Sequence, residues 1–182
     1  IFVKKDNMSV SVILLIIMGS LVLITLAIGY FLPAEVHVER SINIHAEPEV
    51  IFTELGDFQS FVTWSPWTAR DPNMHTFFSG DKFSPGHRYE WKGNRKVGVG
   101  SMEITHIEAN RKINIDLNFG PRGNSLTAFE LIPQGDQTKI VWSFDMDMGS
   151  NPTSKLMGTM MDKFIGKDFD QGLQNLKNKI EK

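Results

Sequence analysis

The chain holds no cysteine. This excludes thiol nucleophiles, disulfide staples and thiolate-held metals. It leaves the compartment open, because a chain of this length can build a core without covalent cross-links. Histidine is sparse: His37, His45, His75, His87 and His106 show no HxH or HExxH spacing, so no metal site is expected. No GxSxG elbow, P-loop or dinucleotide fingerprint occurs either. Gly98-Val99-Gly100 is a glycine pair in a strand pattern and reads as a bulge or close packing. Basic blocks are also missing. Taking Lys4, Lys5 and Asp6 from totals of 19 basic and 21 acidic residues leaves 17 against 20, a net charge of −3 for residues 33–182. A nucleic-acid partner has no electrostatic footprint in such a surface, and polybasic attraction to anionic lipid is equally unsupported.

The first feature that is present is apolar. Val10 to Leu32 runs 23 residues without a charge. At about 1.5 Å per residue this makes a helix of roughly 34 Å, enough to cross a hydrocarbon core of about 30 Å. A buried core helix is a poor alternative, since so small a domain could hardly wrap one on all sides. A cleaved signal peptide competes more seriously, but its apolar region is shorter and ends in small residues. This run ends in Tyr30-Phe31-Leu32-Pro33, with Tyr30 suited to a membrane interface. The expected organisation is therefore a tail over residues 1–9, a transmembrane anchor over 10–32 and one domain over 33–182. Lys4 and Lys5 before the helix, against Glu35, Glu39 and Arg40 after it, place the N-terminus in the cytoplasm and the domain outside, periplasmic or on the cell surface. Met8 is the first methionine, and an N-terminus there would remove both lysines.

After Pro33 the pattern changes. Val36, Val38, Arg40, Ile42 and Ile44 alternate with polar residues, a half-buried strand that follows the anchor almost at once. Ala46-Glu47-Pro48-Glu49 opens a short helix whose apolar face is Val50, Ile51, Phe52 and Leu55. A second short helix is expected from Phe58 to Trp64, broken by Ser65-Pro66-Trp67. Strands follow over 74–79, 88–92, 98–108, 112–119, 123–132 and 139–148, separated by Gly, Pro and Asn-rich turns. Such short connections imply an antiparallel meander. From Asn151-Pro152 to Ile180 the apolar residues Leu156, Met160, Phe164, Phe169, Leu173, Leu176 and Ile180 recur at helical spacing. Met157, Met161 and Ile165 widen that stripe, so the first half of this helix is expected to be the more deeply buried. The fold class is α+β: a curved antiparallel seven-stranded sheet gripping a long C-terminal helix, a helix-grip architecture. One helix fills such a sheet poorly, which favours an internal cavity.

Several phrases support a family resemblance. They are Val38-Glu39-Arg40-Ser41-Ile42, Ala46-Glu47-Pro48-Glu49-Val50-Ile51-Phe52, Trp64-Ser65-Pro66-Trp67, the stretch from Gly93 to Met102 and the closing stretch from Met161 to Phe169. Together with the element order they resemble the Bet v 1/START-like (SRPBCC) superfamily, in its polyketide cyclase/dehydrase-type branch with an N-terminal transmembrane helix. The resemblance spans residues 33–182. It implies a helix-grip fold with a cavity, and a superfamily of lipid carriers, cyclases and hormone receptors.

Ile140, Trp142, Phe144, Met146 and Met148 share one side of the last strand, and Tyr89 with Trp91 one side of an earlier one. Ile113, Ile115, Leu117 and Phe119 share a third such face. With Met157, Met160, Met161 and Phe164 they are expected to line the space between sheet and helix. Aromatic and methionine stripes are more often solid core; as a loosely specific apolar pocket they would mix large and adaptable groups. Trp64 and Trp67 read equally well as a structural plug or as a gate at the pocket mouth. The candidate ligand-binding residues are Trp64, Trp67, Tyr89, Trp91, Met102, Trp142, Phe144, Met160 and Phe164.

Glu90, Asp145 and Asp147 alternate away from these faces and read as solvated. Glu103 and His106 lie three apart in one strand and are expected on opposite sides. Tyr89 and His106 are then the inward groups with any acid–base capacity, so no catalytic residue, cofactor or metal is assigned. The expected function is membrane-anchored binding of a hydrophobic small molecule or lipid. A cyclase or dehydratase acting on an aromatic or polyketide-type substrate is the alternative, and would need an inward acid–base pair. A third reading is an interaction module marked by an exposed apolar patch.

Overall fold

The computed structural model describes residues 9–120 and 123–182; the lysines and first methionine used for orientation, and part of the turn after Phe119, lie outside them. Charge-free sequence forms helix α1, Val10–Phe31, whose residues are almost all exposed. It is long and apolar enough to cross a membrane, with a mean hydropathy of 2.8. Leu32 leaves the helix in extended backbone, and strand β1, Glu35–Ile44, begins three residues later.

Three short helices follow: α2, Pro48–Leu55; α3, Phe58–Trp64; and α4, Pro66–Arg70. Pro48 and Pro66 occupy first-turn positions, where a missing N–H costs no hydrogen bond. The Asp57 carboxylate caps α3 by accepting from the Gln59 N–H. The expected break after Trp64 falls at Ser65, and Pro66–Arg70 then forms a helix of its own. In α2, Ile51, Phe52 and Leu55 are buried, whereas Val50 faces out.

The remaining strands are β2, His75–Ser79; β3, Arg88–Lys92; β4, Val99–Glu108; β5, Lys112–Asn118; β6, Asn124–Gln134; and β7, Gln137–Asp147. They form one antiparallel seven-stranded sheet in the order β1-β7-β6-β5-β4-β3-β2. The meander from β2 to β7 is sequential, and β1 adds to its far edge beside β7. Burial alternates along the strands as the pleat requires: Val38 and Ile44 in β1, Ile113 and Ile115 in β5, Ile140, Trp142 and Phe144 in β7 all lie inside.

One register break matters. Between Ile104 and His106 the pairing of β4 with β5 slips, leaving Thr105 as the extra residue of a bulge. Ile104 pairs with Ile115 and Ile107 with Ile113, so both isoleucines stay inward. Glu103 and His106, expected on opposite sides, therefore both face outward, opposite Asp116 and Asn114.

The C-terminal segment is two helices rather than one: α5, Pro152–Gly158, and α6, Met161–Ile180. Asn151 caps α5 as its sequence suggests. The join is a tightened turn in which the Met160 N–H donates to the Met157 carbonyl at 3.1 Å. The expected burial gradient is reversed. Phe169, Leu173 and Leu176 are 2%, 1% and 0% exposed, whereas Met157, Met160 and Phe164 are 64%, 48% and 59% exposed. The reason is position. The second half of α6 packs on Trp142 of β7 through Phe169 and Gly172, while α5 packs on α1 and meets the sheet at Gly158, close to Val36 and Met148. Arg40 ties α6 to β1 by donating to the Asp162 carboxylate at 2.9 Å and to Asp170 at 3.4 Å.

Candidate functional site

The space between α6 and the sheet is incompletely filled. A cavity of about 210 Å³ remains there. The sheet supplies Tyr89 and Trp91 from β3, Met102 from β4, Leu117 from β5, Thr127 from β6, and Trp142 with Phe144 from β7. All of these occupy inward positions of the pleat. The helices close the other side with Phe61 and Trp67, and with Ile165, Asp168 and Phe169 of α6.

The floor is an aromatic stack. Trp142 lies face to face with Phe169, centroids 3.8 Å apart and planes 7° apart. Trp67 meets both rings edge-on. Each of these edge-on contacts is worth about 0.5–1.5 kcal/mol beyond its buried area. The buried indole Nε1–H of Trp142 donates to Thr127 Oγ1 at 2.9 Å, and that hydroxyl donates to the Ser143 carbonyl at 2.6 Å. The single polar atom of the floor is thereby satisfied without water. Along the wall, Phe78, Tyr89 and Trp91 stack in sequence at 5.2 and 5.4 Å.

Two ionisable groups touch the cavity. Burial pushes the Tyr89 phenol up to about 12, so it stays protonated at ordinary pH. The Asp168 carboxylate is gripped by Arg70, whose guanidinium donates to both of its oxygens. The arrangement orients apolar surface and offers no free base beside an acid. Among the described residues no cluster of metal-ligating side chains occurs.

Of the nine residues expected to form a site, Trp67, Tyr89, Trp91, Met102, Trp142 and Phe144 border this cavity. Trp64 does not act as a gate: it is 2% exposed and packs behind the wall against Phe61 and Trp142. Met160 and Phe164 lie outside the cavity on the exposed side of the helix, because Met161 and Ile165, one position on, are the residues that turn to the core. His106, considered as an inward acid–base group, is outward and exposed as a result of the bulge.

Phe61, Thr127 and Asp168 were not singled out from sequence. Thr127 follows the inward alternation of β6, which was a usable signal; nothing in the helical pattern marks Asp168 as different from its exposed neighbours. His87 is 2% exposed. It stacks on Phe58 at 4.9 Å and accepts the Phe58 N–H at Nε2, a packing role behind the cavity.

A larger groove of about 780 Å³ runs across the opposite face of the sheet, between Glu35, His37, Arg88, Glu103, Asp116 and Asp145. Its walls are charged and its side chains largely pair with one another, as Arg88 does with Glu90 and Glu103. His37 Nδ1 donates to the Asp145 carboxylate at 2.6 Å, which holds the imidazole above its ordinary pKa. For a site that takes up an apolar molecule, the smaller inner cavity has the more apolar lining of the two.

The family model described as "Polyketide cyclase / dehydrase and lipid transport" matches residues 35–181. No curated protein matches the chain. Solved structures share the fold at low identity. A protein from Thermobifida fusca is 18% identical with a TM-score of 0.62, over 79% of this chain and 92% of that one. Protein CV1439 from Chromobacterium violaceum is 14% identical with a TM-score of 0.57, over 82% and 99%. DynU16, a putative protein in the dynemicin biosynthetic locus, is 12% identical with a TM-score of 0.56, over 80% of this chain and 47% of that one.

Proposed function

The chain belongs to the polyketide cyclase / dehydrase and lipid transport family, and on that premise we propose that it binds an apolar small molecule or lipid chain in the cavity under α6, held at a membrane by α1. The observation that carries this reading is the apolar cavity of about 210 Å³ floored by Trp142 and Phe169. Size narrows the guest. An apolar cavity of about 150 Å³ admits benzene, and drug-sized pockets start near 300 Å³. The guest is a small aromatic system or one short acyl chain, and a whole two-chain phospholipid does not fit. The organisation follows the same division: residues 10–32 as anchor and residues 33–182 as binding domain. The three-residue step from α1 to β1 keeps the cavity beside the phase in which such molecules dissolve.

The likeness to a protein of a biosynthetic locus motivates the cyclase or dehydratase alternative. Against it stand the chemistry of the two groups on the wall. A phenol held near 12 is a poor proton donor or base at neutral pH, and Asp168 is committed to Arg70.

The test is tryptophan fluorescence of the full chain in lipid nanodiscs, titrated with naphthalene-type and short fatty-acid probes. Saturable quenching is expected, and it should be lost when Met102→Phe and Leu117→Phe together fill the cavity. Binding that persists in the filled variant would place the guest elsewhere and end this proposal.

A further inference from the structure

Met157, Met160 and Phe164 are the large apolar residues that the domain leaves open beside α1. Their spacing of three and four makes one helical stripe, and the turn joining α5 to α6 keeps the path helical through it. The stripe is not a frayed end. Its reverse side is fixed: a Cβ at Gly158 would sit 2.8 Å from Val36 Cγ2, so the helix presses directly on β1 there. Ile165, the next residue after Phe164, borders the cavity.

The start of α5 is tied to the end of α1. A Cβ at Gly29 would lie 2.5 Å from the Pro152 carbonyl oxygen, so the two backbones touch. Lys155 Nζ donates to the Tyr30 carbonyl at 3.2 Å. The level at which α1 leaves a bilayer is therefore also the level at which α5 begins. Helices lying in the polar layer of a bilayer bury their apolar face about 5–10 Å.

We infer that α5 and the first turn of α6 lie in the interfacial layer of the bilayer, with Met157, Met160 and Phe164 inserted among the lipids. The occupant of this face is lipid rather than protein, because α1 is continuous with it and brings lipid to its edge. The stripe then forms an apolar path from bilayer to cavity wall, ending at Ile165, and the bilayer is the source of the guest. This rests on the reading of α1 as a membrane anchor.

The absence of cysteine makes the test direct. Single replacements Met160→Cys, Phe164→Cys, Leu23→Cys and His106→Cys are labelled with an environment-sensitive fluorophore in the full chain, reconstituted in phosphatidylcholine vesicles. All four side chains are exposed, so none of these changes threatens the fold. Quenching by doxyl-labelled lipid at 160, 164 and 23, with aqueous iodide quenching several-fold weaker there than at 106, is the expected result. If 23 is quenched by lipid while 160 and 164 respond to iodide as 106 does, the interfacial stripe is overturned and the anchor stands. If 23 itself is open to iodide, both are overturned. Shielding of 160 and 164 from iodide and lipid alike would mean a protein partner covers the face, and overturns the inference too.

Discussion

Thr127→Val tests the cavity floor with the least disturbance of shape. The replacement exchanges a hydroxyl for a methyl group at a residue 4% exposed. Two hydrogen bonds disappear: the one Thr127 accepts from Trp142 Nε1–H at 2.9 Å and the one it donates to the Ser143 carbonyl at 2.6 Å. Trp142 is 2% exposed, so water cannot replace the lost acceptor without opening the core. A buried donor stranded in this way costs about 1–3 kcal/mol. Taking about 2 kcal/mol, and about 2–4 °C per kcal/mol for a domain of this size, the melting temperature should fall by about 4–8 °C. The assay is thermal unfolding of the full chain in mild detergent, followed by circular dichroism, for wild type, Thr127→Val, Trp142→Phe and the double variant. Phenylalanine has no N–H to strand, so in the Trp142→Phe background the threonine change should cost markedly less, with a coupling of about 1–2 kcal/mol. An equal fall in both backgrounds, or none in either, would refute the claim that Thr127 exists to satisfy this indole.

Phe169→Ala should destabilise by about 3–5 kcal/mol, while Phe164→Ala should stay within about 0.5 kcal/mol, since the first is 2% and the second 59% exposed; similar losses in urea unfolding would contradict the burial gradient of α6. In a Tyr30→Phe variant, which leaves Tyr89 as the one tyrosine, Tyr89 should resist ionisation until about pH 12 in an ultraviolet titration, and a transition near 10 would mean the wall is wetter than its burial indicates. The hydrogen bond that His37 donates to Asp145 raises the imidazole pKa above 6.5. The stability this pair supplies is then fully present below 6.5 and fades as pH rises through the raised value, with solvent screening keeping it small. Asp145→Asn should bring the His37 titration seen by nuclear magnetic resonance back toward 6.5; an unchanged midpoint would remove Asp145 as the cause.

Much of the architecture was legible because it is written in local periodicity. A charge-free run as long as Val10–Phe31 has few structural outcomes besides a long apolar helix. Alternation in β1, β3, β5 and β7 named the inward side chains, and six of the nine expected site residues border the cavity because the period of a strand leaves two faces to choose from. The failures share a different cause. Helical periodicity told which residues of 152–180 share a face, but not which flank of that face meets the core: Met161 and Ile165 pack against it, while Met160 and Phe164, one position back, are left exposed.

The sequence by itself determined the apolar helix, the strands and the seam along the last helix, since each depends on neighbours within a few positions. Only the tertiary structure decided that Thr105 bulges and turns His106 outward, that Thr127 meets the indole fifteen residues away, and that Arg70 holds Asp168. Those outcomes depend on strand register and on contacts between distant segments, where a shift of one residue reverses which side chains meet.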